Sequence, residues 1–291
     1  MEKISLKALA KINLGLDVVK RRADGYHEVR MIMQTIHLHD RLEITKAKEP
    51  GIRIAVNLDF LPTGEDNLIY KAVRMLMESY SIREGVDVKL EKRIPVAAGM
   101  AGGSTDAAAA LYGMNELFHL GLKRSGLMEL GVKIGADVPY CLMRGTALAE
   151  GIGEKLRSLP PMPKCPVLVA KPAASVSTKS VYENLKLDEQ TVHPDIYAQI
   201  AAIREGNLKA AAEHMGNLLE TVTIPRCPVI DEIKRCMMEH GALNAMMSGS
   251  GPAVFGLFED EKTAKAAYGQ VMKSHLAKQV CLTSIYNNRR K

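Results

Sequence analysis

Apolar and polar residues alternate along ISLKALAKINLGLDVV (4–19), where Ile12, Leu14, Leu16 and Val18 are set against Lys11, Asn13 and Gly15. Successive side chains of a strand point to opposite faces, so the stretch predicts a strand with Lys11 and Asn13 on one face. The next stretch, RRADGYHEV (21–29), carries the turn signal Asp24-Gly25, and a second alternating run passes through Met31, Met33 and Thr35. Together they predict a hairpin with Tyr26 and His27 just past its tip. DNLIYKAVRMLMESY (66–80) has apolar residues at helical spacing with Asp66 as its N-cap, and VDVKLEKRI (86–94) alternates like a half-buried strand.

A run of small residues, PVAAGMAGGSTDAAAAL (95–111), interrupts this patterning. It leaves backbone amides uncovered and passes through Gly102, Gly103, Ser104 and Thr105 into the Ala-rich start of a helix. Glycines allow close approach to the main chain, and the first amides of a helix lack intrahelical partners at the positive end of its dipole. Such a stretch suits phosphate. The alternative is an ordinary loop-to-helix turn capped by Ser104 or Thr105. A Walker-type loop is excluded, because no lysine lies between Lys92 and Lys123. A dinucleotide fold is disfavoured, because no second strand with an acidic residue follows the helix.

Farther on, GLKRSGLMELGVKIGADVPYCLMRGTALAEGIGEKL (121–156) predicts a helix closed near Gly135 and a hairpin over 144–156 that ends a first lobe. Asp137 is either the N-cap of a short helix beginning near Pro139 or a catalytic carboxylate. The proline cluster LPPMPKCP (159–166) marks a boundary, giving lobes over 1–158 and 159–291. Beyond it come a strand (167–172), helices over 178–185, 195–207, 208–222 and 229–241, and two strands about a glycine turn in LNAMMSGSGPAVFGLF (243–258). A helix from about 261 to 274 and a last strand (280–287) complete the chain. The second lobe is therefore expected to be α+β, with helices layered on an antiparallel sheet.

At 291 residues, 47% hydrophobic and 25% charged, the chain can bury a sizeable core. No apolar run approaches the ~20 residues of a membrane span, and the N-terminus lacks the apolar core of a signal peptide, so a cytoplasmic protein is expected. The five cysteines are widely spaced, with no C-x-x-C pair, and read as buried thiols. His37 and His39 share a strand face but lack a third metal ligand nearby. A net charge of +6 suits an anionic partner. With no Trp and four Phe, no basic-aromatic stacking surface for single-stranded nucleic acid is apparent. NNRRK (287–291) reads as a solvated tail.

Four stretches, AKINLGLDVVKRRADGYHEV (10–29), PVAAGMAGGSTDAAAAL (95–111), GADVPY (135–140) with GTALAEGIGE (145–154), and SGSGPAVF (248–255), closely resemble the GHMP kinase superfamily. The resemblance spans nearly the whole chain. It implies a two-lobed α+β fold, with an N-terminal lobe like ribosomal protein S5 and a ferredoxin-like C-terminal lobe. KINLGL together with RRADGYHEV narrows the resemblance to the branch that uses ATP to phosphorylate the 2-hydroxyl of a cytidine-diphosphate-linked methylerythritol, in non-mevalonate isoprenoid synthesis. By resemblance, Pro95, Val96, Ala97, Ala98, Gly99, Met100, Ala101, Gly102, Gly103, Ser104 and Thr105 form the ATP phosphate loop, and Asn67 joins them at the nucleotide. Asp137 matches the catalytic base and Lys11 the active-site lysine. Asn13, Tyr26, His27, Thr178 and Tyr182 match substrate contacts, with Tyr26 and Tyr182 on the two faces of the cytosine ring. Mg²⁺ is implied through the ATP phosphates.

Ala101 and Thr105 depart from the Gly and Ser of many members; the retained hydroxyl keeps the loop's chemistry, while either Ser104 or Thr105 is nearer the metal. The segment from Ser248 to Gly251 either closes over substrate or phosphates or is a tight turn between strands of the second lobe. The resemblance implies a monomer or homodimer with no nucleic-acid or membrane partner. The competing readings are another GHMP kinase, acting on homoserine, mevalonate or a sugar, and a basic nucleic-acid-binding module.

Overall fold

The two alternating runs at the start of the chain form long strands, Lys3–Arg21 and His27–Ala47. The turn between them is closed by Asp24, whose carboxylate accepts from the Tyr26 amide (3.1 Å) and pairs with the Arg22 guanidinium (2.9 Å). The computed structural model describes residues 2–288, so 289–291 of the expected tail lie outside the described residues. The chain divides into two compact units: Met1–Ala10, Leu38–Val96 and Ala101–Met143 in the first, and Lys11–His37, Ala97–Met100 and Arg144–Lys291 in the second. Each long strand contributes residues to both units.

In the first unit, the end of His27–Ala47 pairs antiparallel with Gly85–Glu91, Arg41 opposite Glu91 and Ala47 opposite Gly85. Gly85–Glu91 in turn pairs parallel with Ile52–Val56, a short alternating strand that the sequence reading passed over. Helix Leu68–Ser79 buries Ile69, Ala72, Val73 and Leu76, the three-and-four spacing of one helical face. Its N-cap is Asn67 and not the expected Asp66. The Asn67 Oδ1 accepts from the Ile69 amide at 2.8 Å, and its backbone is extended, as a cap requires. Helix Gly102–Leu117 packs against this helix and against Val138–Met143. It is buried at Thr105–Leu111, where its four consecutive alanines keep the helix narrow enough to sit in the core.

In the second unit, Val29 to Gln34 of the second strand pair antiparallel with Gly151 to Thr146, and Thr146–Gly151 forms the expected hairpin with Lys155–Ser158. A separate antiparallel sheet runs in the order Gln279–Ser284, Pro166–Lys171, Val254–Leu257, Asn244–Met247. Its two central strands are almost wholly buried, and helices Val229–Glu239 and Glu261–Lys273 pack on it. This is the α+β layering read from the sequence.

The helix expected over 208–222 is broken. Leu208–Glu213 and Glu220–Arg226 are separate helices, and Gly216–Asn217 between them pairs parallel with Gly15 and Leu16. A Cβ on Gly216 would sit 2.7 Å from the Pro194 side chain, so a helix former with a side chain does not fit here. No helix among the described residues is long and apolar enough to cross a membrane.

Candidate active site

The small-residue loop connects strand Gly85–Glu91 to helix Gly102–Leu117. Positive φ recurs at alternate positions, Ala97 (49°), Gly99 (74°) and Ala101 (56°). Ala101 is the N-cap residue in the left-handed region, where an L-residue costs about 1–2 kcal/mol. The loop thus adopts a glycine-like conformation at Ala101 despite the methyl. No side chain caps this helix, and its first turn holds no acidic residue. The capping alternative for Ser104 and Thr105 is therefore overturned. The Thr105 hydroxyl instead donates to the Leu9 carbonyl at 2.8 Å, buried inside the first unit. Helix geometry leaves the amides of Gly102, Gly103 and Ser104 without intrahelical acceptors, available to an anion.

Lys11 and Asn13 do share a face of the first strand. The Lys11 ammonium donates to Asn13 Oδ1 at 2.6 Å and to the Gly99 carbonyl at 3.0 Å. A lysine beside a buried strand ordinarily snorkels to water. Lys11 is only 5% exposed, with its charge turned onto the loop.

Ser248 donates to the same Gly99 carbonyl at 3.0 Å, and a Cβ on Gly99 would lie 1.9 Å from the Ser248 carbonyl oxygen. Only glycine permits that approach. The turn 248–251 between strands Asn244–Met247 and Val254–Leu257 therefore rests directly on the loop backbone. Asn217 fixes it, donating to Met247 O (2.9 Å) and Gly249 O (2.8 Å) while its own oxygen accepts from the Leu219 amide (3.0 Å). Glu220 accepts from the Met247 amide (2.7 Å) and pairs with Lys234 (2.6 Å).

From this turn, Ser250 reaches Thr178 at 2.7 Å between hydroxyls. Thr178 opens the helix Thr178–Glu183, which walls a cavity of about 560 Å³. Tyr26, His27, Thr178 and Tyr182 all line it, with Arg21, Asp24, Gly25, Val29, Ile152, Lys179 and Glu183. The His27 and Tyr182 rings stack at 5.2 Å with a 35° tilt, and Tyr26 stands 61% exposed at the rim. Burial, and secondly the charge of Arg21, lowers the His27 pKa below its ordinary value. A neutral ring both donates and accepts hydrogen bonds, as recognition of a heterocycle's polar edge demands. Of the five expected substrate residues, Asn13 lies apart from the cavity lining, bonded to Lys11.

Asp137 belongs to the first unit and immediately precedes helix Val138–Met143. Its carbonyl accepts from the Cys141 amide at 3.0 Å, and the residue is half-buried. Asn67, expected at the nucleotide, commits Oδ1 to its cap and Nδ2 to the Pro62 carbonyl (2.7 Å). His37 stacks edge-on against Tyr286 at 5.2 Å. The sequence reading missed Asn217 and a buried Asp40–Lys92–Asp106 cluster at the base of the loop. For Asn217 the one available signal was Gly216 inside a helical pattern, which marks a break as readily as a tolerated glycine.

The family described as GHMP kinases N terminal domain matches residues 67–145, and that described as GHMP kinases C terminal matches 199–278. The chain is 57% identical to the 4-diphosphocytidyl-2-C-methyl-D-erythritol kinase of Lachnospira eligens, over 98% of this chain and 99% of that one. It is 54% identical to the kinase of the same name from Lachnoclostridium phytofermentans, over 99% of each. A crystal structure of a 4-(cytidine 5'-diphospho)-2C-methyl-D-erythritol kinase superposes with a TM-score of 0.85 at 32% identity, covering 98% of this chain and 100% of the other.

Proposed function

This chain belongs to the 4-diphosphocytidyl-2-C-methyl-D-erythritol kinase family of the GHMP kinases, and from that premise we propose that it transfers the γ-phosphoryl group of ATP to the 2-hydroxyl of 4-diphosphocytidyl-2-C-methyl-D-erythritol. The products are the 2-phosphate and ADP, and the reaction belongs to the non-mevalonate route to isoprenoids. The observation that carries the reading is the full-length match at 57% identity to a kinase of that name. The cavity lined by His27 and Tyr182 supports the cytidine end of the acceptor.

Phosphoryl transfer to an alcohol is largely positioning and charge stabilisation. The uncapped amides at the start of Gly102–Leu117 receive phosphate oxygens, and their fixed orientation stabilises charge as it spreads over the transferring group. Asp137 orients the attacking hydroxyl and accepts its proton. Lys11, held by Asn13 and the Gly99 carbonyl, supplies positive charge through a side chain whose rotamer is already set.

Mg²⁺ prefers oxygen ligands and substrate phosphates, and among the described residues no cluster of three His, Cys, Asp or Glu side chains could hold a metal. We assign the metal mainly to the phosphate oxygens of ATP, on that preference for oxygen alone. The Thr105 hydroxyl is committed to Leu9, so we assign Ser104 as the loop hydroxyl toward the metal. When bound, Mg²⁺ neutralises charge on the β- and γ-phosphates.

At the other end of the acceptor, the neutral His27 ring meets the polar edge of cytosine and Tyr182 offers a stacking face, with Tyr26 at the rim. Binding energy gathered there, remote from the reacting hydroxyl, holds that hydroxyl in place. The test is ATP turnover across acceptors: the cytidine-linked methylerythritol, homoserine, mevalonate and a sugar, with CMP as competitor. We expect turnover of the cytidine-linked alcohol alone, inhibited by CMP. Preference for an unlinked alcohol overturns the assignment.

A further inference from the structure

Beneath the loop, the first unit buries three charged side chains together. The Lys92 ammonium donates to Asp40 Oδ2 and to Asp106 Oδ2 (2.7 Å), and none of the three is more than 9% exposed. Asp40 Oδ1 in turn accepts from the backbone amides of Arg93 (2.5 Å) and Ile94 (2.8 Å), the two residues that lead into the loop. Asp106 lies in the second turn of the helix that leaves it, and a Cβ on Gly102 would lie 3.1 Å from the Lys92 ammonium. The cluster thus grips the chain on both sides of the loop. It makes none of the contacts expected of the phosphate-binding amides themselves.

We propose that Lys92 and Asp106 are positioning residues for ATP: the Asp40–Lys92–Asp106 bridge fixes the spacing between the entry to the phosphate loop and the first turns of its helix. The proposal rests on the phosphotransfer reading above. Backbone donors stabilise a developing charge only if they are already in place, and a misplacement of about 1 Å in such a site costs up to about a hundredfold in rate. The left-handed Ala97 and Ala101 make the point sharper, because a loop holding two strained L-residues has a ready route to relax if its ends are untied.

The protonation of the cluster agrees with this role. Burial on its own would lower the Lys92 pKa, but Asp106 and Asp40 outweigh it and hold the ammonium above its ordinary value. Burial pushes Asp106 well above the usual carboxylate range, and Asp40 adds to the rise while Lys92 opposes it. Asp106 is thus harder to ionise than an exposed carboxyl, while its Oδ2 still accepts from the Lys92 ammonium. Its Oδ1 has no hydrogen-bond partner among the described residues, so it contributes through Oδ2 and Lys92 alone. An asparagine reproduces that arrangement; an alanine removes the tie and leaves a balanced Lys92–Asp40 pair.

The test compares Asp106→Ala with Asp106→Asn by steady-state kinetics and by calorimetry with a non-hydrolysable ATP analogue. Asp106→Ala is expected to raise the KM and Kd for the nucleotide about tenfold, the equivalent of one lost charge-assisted hydrogen bond, with the KM for the cytidine-linked acceptor unchanged within about twofold. Asp106→Asn is expected to keep both KM values near wild type. A merely structural role would lower thermal stability and active fraction without splitting the two KM values. Nucleotide affinity in Asp106→Ala equal to wild type overturns the proposal, as does an equal rise in Asp106→Asn. A wild-type protein that binds no ATP overturns the phosphotransfer reading and this proposal with it, whereas wild-type binding beside an unaffected Asp106→Ala overturns the bridge alone.

Discussion

The two units secure their functional backbone by different means. In the first, the chain on either side of the loop is held by buried ions: one ammonium, two carboxyls and the Arg93 and Ile94 amides that Asp40 accepts. In the second, the turn 248–251 is held mainly by neutral groups: the Asn217 carboxamide makes three hydrogen bonds to backbone, and Ser250 and Thr178 share one between hydroxyls. A buried charge left without its partner costs far more than a neutral group in the same position, because the desolvation of the ion is no longer offset. The difference teaches where each unit can tolerate change. The ionic site should fail steeply, and the neutral one by degrees.

That contrast can be broken most directly at Lys92. Lys92→Met leaves Asp40 and Asp106 facing each other in the core, and we expect a loss of about 3–5 kcal/mol in chemical denaturation. Asn217→Ala leaves the Met247 and Gly249 carbonyls and the Leu219 amide without that partner, with an expected loss of about 2 kcal/mol and a fall in turnover as the turn against Gly99 loosens. If denaturation shows Asn217→Ala to be as costly as Lys92→Met, the distinction between ionic and neutral bracing is wrong.

The smallest stability effect is expected at His27, which is partly exposed at the cavity. His27→Ala should change denaturation by less than about 0.5 kcal/mol yet raise the KM for the cytidine-linked acceptor about tenfold. Its pH dependence sharpens the point. Burial and Arg21 favour the neutral ring, so the rise in acceptor KM as the imidazole gains a proton should set in at more acid pH than the range in which an ordinary histidine titrates. In His27→Ala that acid rise should be absent. An identical acid limb in both proteins would assign it to another group.

Much of this is legible in the sequence. Period-two alternation found the first two strands because successive side chains point to opposite faces, although residues 8–18 of the first and 31–36 of the second are buried on both. It also placed Lys11 beside Asn13, since residues two apart on a strand share a face. Glycines and small residues marked the loop, where close backbone approach leaves no room for a Cβ at Gly99.

What escaped was non-local or finely local. The bridge joins Lys92 to residues 52 and 14 positions away, a proximity that no periodicity reports. Helical spacing ran straight through Gly216, although a parallel pairing with Gly15 breaks the helix there. At the start of Leu68–Ser79, Asp66 and Asn67 are both good caps in sequence. The choice fell to Asn67, which can accept from Ile69 through its oxygen while donating to Pro62 through its nitrogen, as a carboxylate cannot.

The claim beneath all of these roles is that the chain moves a phosphoryl group onto an alcohol whose proton goes to Asp137. The most direct measurement is kcat and the KM for ATP of Asp137→Asn, folded as wild type by circular dichroism, with the cytidine-linked methylerythritol as acceptor. We predict a fall in kcat of at least about a hundredfold with the ATP KM within about threefold of wild type. Turnover near the wild-type rate would contradict the account.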